Sequence, residues 1–276
     1  MENFHVDENI KKAETLPARF YRSEEVFELL KERVFKRSFQ WFGSINDLLP
    51  HESYVKPLLF VEGYLEEPFF IRKDAKLGLT CFSNVCTHRG NLIFHHEGVS
   101  KRITCGYHGR TWATDGAFKF MPEFKDVEDF PRACDHLKPF ETAQLGPQLF
   151  VGVEPNIDIG NVLSKMNERI GFLPLNEFKF DPSQSKDYLV NCHWALYCDN
   201  YLEGFHIPFV HEDLNAALDY GSYTTELFEN GSLQIGYSSG GEEVFDLPSN
   251  HPDEGKAVAA YYYWLFPNMM FNFYPW

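Results

Sequence analysis

Four residues constrain this chain more than any others: Cys86 and His88 in the segment CTHRG, and Cys105 and His108 in CGYHGRTW. Together they spell C-x-H-x16-C-x2-H, two short Cys/His pairs on separate turns. One such pair is weak evidence, because the chain has 11 His and 6 Cys and short spacings recur by chance. Two pairs in order, within a stretch of short apolar runs broken by turn signals, point to a metal centre. Two thiolates suit one iron of a [2Fe–2S] cluster and two neutral imidazoles the other, which raises the potential above that of an all-Cys cluster. A structural Cys2His2 zinc site is the competing metal reading, and four unligated residues the plain one.

The surrounding pattern predicts an α+β fold in two domains. Ser23, then Glu24 and Glu25, precede an apolar stripe of Val26, Phe27, Leu30, Val34 and Phe35, which predicts a capped helix over 24–37. From Pro57 to Phe150, runs such as LLFVEGYL, PFFIRK and LGLTCFSNV predict an antiparallel β domain. Beyond Gly152 the texture predicts a helix over 161–170, a strand near 188–190, a helix from about Trp194 and two strands around Pro267. The expected division is 1–38 as an N-terminal helical segment, 39–155 as the cluster domain and 156–276 as a domain with a helix laid on an antiparallel sheet.

A second constellation lies in the later part. Asp199, Asn200, Glu203, His206 and His211 fall in the stretch NCHWALYCDNYLEGFHIPFVH. Asp199, Glu203 and His206, at i, i+4 and i+7, share one face of a continuous helix. His211 lies too far round that face, but Pro208 should distort the ladder and swing both imidazoles together. Two His and a carboxylate with open positions is the arrangement of non-haem Fe(II) oxygenases, where the vacant positions receive O2. Ordinary polar residues of an amphipathic helix are the plainer reading. Glu212 and Asp213 are further candidates for the carboxylate.

The two Cys/His loops, this stretch and the N-terminal LPARFY resemble the α (terminal oxygenase) subunit of Rieske non-haem iron ring-hydroxylating oxygenases, in the branch that includes choline monooxygenase. The resemblance implies a helix-grip-like catalytic domain and a mononuclear Fe(II) bound by His206 and His211, fed through a Rieske cluster on Cys86, His88, Cys105 and His108. It also implies a separate ferredoxin or flavin/NAD(P)H reductase and a head-to-tail homotrimer. There Glu203 would bridge His206 to the His108 of a neighbouring subunit, and Asp199 and Asn200 would belong to the catalytic segment. The family's third iron ligand, a carboxylate, is expected beyond Trp276, so the chain is expected to be a truncated reading of a longer protein. Respiratory Rieske proteins join the two loops by a disulfide, where Asn91 and Tyr107 stand here. Arg110 takes the place of their sulfur-bonding Ser, so fewer hydrogen bonds and a low potential are expected.

Other chemistries find no support. No G-x-G-x-x-G follows a strand, so NAD(P)H has no site of its own. A net charge of −15 argues against a nucleic-acid partner. No apolar run is long enough to span a bilayer, and the first fifteen residues lack a secretory core, so a cytoplasmic location is expected. In that compartment Cys81, Cys134, Cys192 and Cys198 read as structural thiols. The run Tyr261-Tyr262-Tyr263-Trp264 is a candidate aromatic cage for a quaternary amine, with an aromatic ring the other substrate class. The alternative function is an electron-transfer protein that uses only the Rieske cluster.

Overall fold

The computed structural model describes residues 4–211, 220–241 and 243–276. The chain divides into two compact units, Phe35–Asn156 with Leu175–Phe180, and Met1–Val34 with Ile157–Pro174 and Asp181–Trp276. Both sets of sheets are antiparallel and the helices lie mainly in the second unit, so the expected α+β class is observed.

In the first unit the main sheet orders the strands Gly78–Ser83, Glu67–Asp74, Tyr54–Phe60 and Gly98–Val99. A second sheet joins Phe39–Ser44, Gln148–Gly152 and Glu141–Leu145, and a small third joins Ile103–Thr104, Thr111–Trp112 and Phe118–Phe120. The run PFFIRK shows how the layers stack. Successive strand side chains point to opposite faces. Phe69 and Ile71 therefore enter a core with Leu49, Phe60, Phe140 and Leu149, while Phe70 enters another with Phe82, Ile93, Ile103 and Trp112. All three are fully buried, and each contributes about 2–3 kcal/mol by leaving water. A strand covered on both faces has no polar alternation, which is why its sequence reads as one apolar run. Cys86 and Cys105 belong to the second core, so the two loops that carry them rest on a packed apolar floor. The next residue, Arg72, is also buried and is paired with Asp74. The Arg72 guanidinium, with the N–H groups of Lys76 and Leu77, holds the Asp74 carboxyl down to about 2.

The second unit contains a four-stranded meander of Thr224–Phe228, Gly231–Tyr237, Val258–Leu265 and Met269–Phe273. The helix Ile159–Ile170 buries Ile159, Val162, Leu163, Met166 and Ile170, the stripe its 3.6-residue period requires. Asp158 caps its start by accepting from Asn161 N–H. Near its end Arg169 pairs with the fully buried Asp253, which also accepts from Tyr261 Oη–H (3.0 Å) and Lys256 Nζ–H (2.8 Å). The helix Trp194–Tyr201 is tied to the sheet at its last residue. Tyr201 Oη lies within bonding distance of Asn272 Oδ1 (2.6 Å) and the Tyr263 carbonyl (3.1 Å), and Gln234 Nε2–H donates to the Tyr201 carbonyl (2.9 Å).

Three expectations need correction. The helix capped by Ser23 covers Glu24–Arg33 rather than 24–37, because Phe35 leaves the stripe to bury itself against Tyr64 within the unit that Phe35 begins. Residues 188–190 form no strand; Tyr188, Leu189 and Val190 are exposed, and an apolar run without a pairing partner does not make a ladder. Of the four thiols read as structural, Cys81 and Cys198 are buried but Cys134 and Cys192 are exposed.

Candidate iron sites

The two Cys/His segments fold into the same six-residue loop. In the first, Gly90 N–H donates to the Cys86 carbonyl (3.0 Å) and Cys86 N–H to the Asn91 carbonyl (2.8 Å). In the second, Gly109 N–H donates to the Cys105 carbonyl (3.0 Å) and Cys105 N–H to the Arg110 carbonyl (2.8 Å). Each loop turns at its fifth residue, where Gly90 and Gly109 have φ of +71° and +73°. That left-handed conformation costs a residue bearing a Cβ about 1–2 kcal/mol. CTHRGN and CGYHGR are therefore one backbone pattern, with the His third in one and fourth in the other.

This frame brings the four predicted residues together. The His88 and His108 rings lie 4.8 Å apart between centroids at 75°, and the buried Cys86 and Cys105 thiols are hydrogen-bonded to each other. Burial pushes the Cys105 thiol up, but the Tyr107 N–H, the Cys86 thiol, the Asn91 amide and the His108 N–H outweigh it and hold the thiol below its ordinary value. Burial, and then the charges of His108, Arg89 and Arg110, push His88 down, so it stays a neutral imidazole. Within the pair Cys105 is thus held down while burial, with Cys105 itself, pushes Cys86 up, and a thiolate and a neutral ring are the forms that bind iron.

His88 Nδ1 is buried with no hydrogen-bond partner. An unpaired atom of this kind costs about 1–3 kcal/mol, which a bound metal removes. Among the described residues no three His, Cys, Asp or Glu side chains converge on a single ion, as a zinc site requires. The donors stand instead as a thiol pair and an imidazole pair, which fits a [2Fe–2S] cluster. The expected shortage of hydrogen bonds to sulfur is offset, because Asn91 Nδ2–H reaches from the first loop to Cys105 Sγ on the second (3.6 Å).

The second constellation is assembled differently from its expected form. The helix ends at Tyr201, so Asp199, Glu203 and His206 do not share a helical face. Asp199 instead accepts from Tyr21 Oη–H (2.7 Å) and is not among the residues that line the pocket of His206 and His211, and burial together with this bond raises the Tyr21 phenol to about 12. Glu203 stops the helix from continuing, since its Oε2 accepts from Phe205 N–H and offers the backbone a partner outside the helical ladder. Pro208 does not kink a long helix but sits in the first turn of the short helix Ile207–Val210, where its missing N–H costs nothing.

His206 and His211 flank that turn, with ring centroids 5.1 Å apart at 70°. Glu203 Oε1 lies 2.6 Å from His206 Nδ1. A carboxylate only accepts, so Nδ1 carries the proton and Nε2 is left for a metal. Asn200, Glu203, His206 and His211 line one pocket of about 240 Å3 with Tyr201, Tyr223, Gln234, Tyr262, Asn272 and Tyr274. The donors fit two of the three protein ligands of a non-haem iron. Glu203, which is already bonded to His206, is the only carboxylate among the described residues of the lining. Glu212 and Asp213 lie outside the described residues. Of the run Tyr261–Trp264 only Tyr262 lines the pocket, because alternate residues of the strand point away and Tyr261 and Tyr263 are fully buried. No motif or spacing marks Tyr223, Gln234, Asn272 or Tyr274, which reach the pocket only through sheet pairing and the chain segments flanking the sheet.

Comparison with known proteins gives a domain match over each of these regions. Residues 50–131 match the Rieske [2Fe-2S] domain and residues 178–276 the ring hydroxylating alpha subunit (catalytic domain). A chain that joins these two domains is of the Rieske iron–sulfur class with a non-haem iron partner domain. It is thus similar, in both of its domains, to Rieske ring-hydroxylating oxygenase α subunits. It is similar to the chloroplastic choline monooxygenase of Arabidopsis thaliana, at 25% identity over 283 residues that cover 97% of this chain and 64% of the relative. It is also similar to the carnitine monooxygenase oxygenase subunit of Escherichia coli (strain K12), at 27% identity over 278 residues, 99% of this chain and 71% of the relative. The fold matches a solved quaternary ammonium Rieske monooxygenase with a TM-score of 0.71 at 23% identity, covering 95% of this chain and 69% of that one. It matches naphthalene 1,2-dioxygenase from Rhodococcus sp. with a TM-score of 0.67 at 18% identity, covering 94% and 64%. The chain thus spans less than two thirds of the length of the choline monooxygenase it resembles.

Proposed function

We propose that this chain belongs to a terminal oxygenase subunit that oxidises a small quaternary amine with O2. The single observation that carries the reading is the pairing of two half-sites on one chain: Cys86, Cys105, His88 and His108 in one unit, and His206 and His211 beside a tyrosine-lined pocket in the other. In this reading Cys86 and Cys105 hold one iron of the cluster and His88 and His108 the other, while His206 Nε2 and His211 hold the mononuclear iron. The metals supply one-electron transfer and O2 activation when bound.

The chain's own residues do the rest. Glu203 keeps the proton on His206 Nδ1 and fixes the ring's orientation. Tyr201, Tyr223, Tyr262 and Tyr274 offer aromatic faces to a cation, worth about 0.5–2 kcal/mol per ring. With no dinucleotide motif in the chain, electrons come from a separate ferredoxin or reductase. By family likeness the subunit works as a homotrimer, with Glu203 near the cluster of a neighbour. Both named relatives bear the names of monooxygenases of quaternary amines, which favours that substrate class over an arene.

The test is O2 uptake by the full-length protein, with a reductase and reductant supplied, over a panel of choline, carnitine, betaines and arenes. Stimulation by quaternary amines is expected. Stimulation by arenes alone would replace the substrate class, and no uptake with any compound despite a full complement of iron would return the chain to a role in electron transfer.

A further inference from the structure

Beneath the cluster loops lies a buried ion pair that the chemistry above does not use. Arg110 and Asp135 are 2% and 5% exposed and are bonded to each other, Arg110 Nη2–H donating to Asp135 Oδ1. The guanidinium sits over the rings of Phe118 and Phe130, at 5.2 and 5.5 Å from their centroids. Asp135 is fully engaged. Its Oδ2 accepts from Arg132 N–H (2.7 Å), and its backbone carbonyl accepts from both Thr87 Oγ1–H (3.0 Å) and Trp112 Nε1–H (2.9 Å).

Thr87 stands between the two ligands of the first loop, and Arg110 closes the second loop by accepting from Cys105 N–H. One residue, remote in sequence from both loops, thus holds each of them, where the respiratory branch uses a disulfide. The pair also places a buried cation and anion beside the site. A nearby positive charge favours the reduced cluster and a nearby negative charge opposes it, with little screening in an apolar interior.

We propose that Asp135 is the positioning residue of the cluster site, clamping the two ligand loops and cancelling the charge of Arg110, so that the cluster keeps a low potential. The inference rests on the Rieske reading of the four ligands. It assigns two effects, a clamp that holds the first loop through the backbone carbonyl and the second through the carboxylate, and a charge carried by that carboxylate.

The experiment uses the full-length holoprotein, with cluster content read from visible absorption and from iron and sulfide analysis, and the midpoint potential from a redox titration. Asp135→Asn keeps the shape and loses the charge, so a retained cluster with an upward shift of the potential is expected. Arg110→Gln should shift it downward, and the double variant should return towards the parent. Thr87→Val removes only the loop link, so faster cluster loss to a chelator with an unmoved potential is expected. A retained cluster with an unchanged or lowered potential in Asp135→Asn would overturn the proposal. Should Asp135→Asn fail to hold a cluster, Arg110→Gln decides: a downward shift supports the proposal and no shift overturns it. If none of these variants nor the parent holds a [2Fe–2S] cluster, it is the Rieske reading itself that fails.

Discussion

The two half-sites differ in how they are built. The Cys/His site takes all four donors from 86–108, on two loops that share one backbone frame and sit on a buried apolar floor. The His206/His211 site takes its imidazoles from the two ends of the short helix Ile207–Val210, its carboxylate contact from Glu203 next door, and its walls from the sheet and its flanking segments. The first is closed by local chain geometry. The second is a partial ligand set whose pocket exists only because distant strands pair. Local closure makes the first site insensitive to what happens in the second, and this independence is open to experiment.

The largest effect is expected from Cys105→Ser. Loss of one thiolate should abolish the cluster's visible absorption and electron paramagnetic resonance signal; a normal signal would remove Cys105 from the ligand set. Next, His206→Ala should abolish substrate-dependent O2 uptake while leaving that signal unchanged, and Glu203→Gln should weaken iron retention roughly 10–100-fold, as loss of an orienting carboxylate does. A cluster signal altered by either variant would break the separation of the two sites.

Gly109→Ala should destabilise the first unit by about 1–2 kcal/mol in chemical denaturation, since φ is +73° there and the added Cβ would meet Pro122 Cγ at 3.4 Å. No measurable loss would mean that the shared loop frame is not under the constraint its dihedrals indicate. The smallest effect concerns Asp74. Its folded pKa of about 2 lies below the unfolded value of about 4, so its pairing stabilises the fold above pH ~4 and that contribution fades as the pH falls towards 2. Asp74→Asn should flatten the acid limb of the stability profile in that window, and an unchanged limb would show that Arg72 does not depend on its partner.

Much of the first site was legible from the chain alone, because ligand spacing is a local signal. Asp135 was not, since it lies 48 residues from Thr87 and 25 from Arg110 and nothing in an ordinary Asp marks it as a clamp. At the second site the pair of imidazoles was legible but the helix was not. Periodicity placed Asp199 beside Glu203, whereas a side chain that bonds its own backbone at Phe205 ended the helix first. The pocket's Tyr223, Gln234, Asn272 and Tyr274 have no sequence signature, because only tertiary pairing gathers them. Fold class was easier, since strand and helix periods survive without knowledge of partners.

The strand Glu67–Asp74, covered on both sides, carries one more consequence. Apolar on either face, it gives hydrophobic burial no means to tell the native register from a one-residue slip, because Phe69, Phe70 and Ile71 would each find a core again. What distinguishes the two is charge. A slip would turn Arg72 and Asp74 towards the core that now holds Phe69 and Ile71, with no route to water for either group. The buried ion pair is therefore a register mark, and by fixing which phenylalanine lies under Cys86 and Cys105 it determines the surface on which the iron loops are seated.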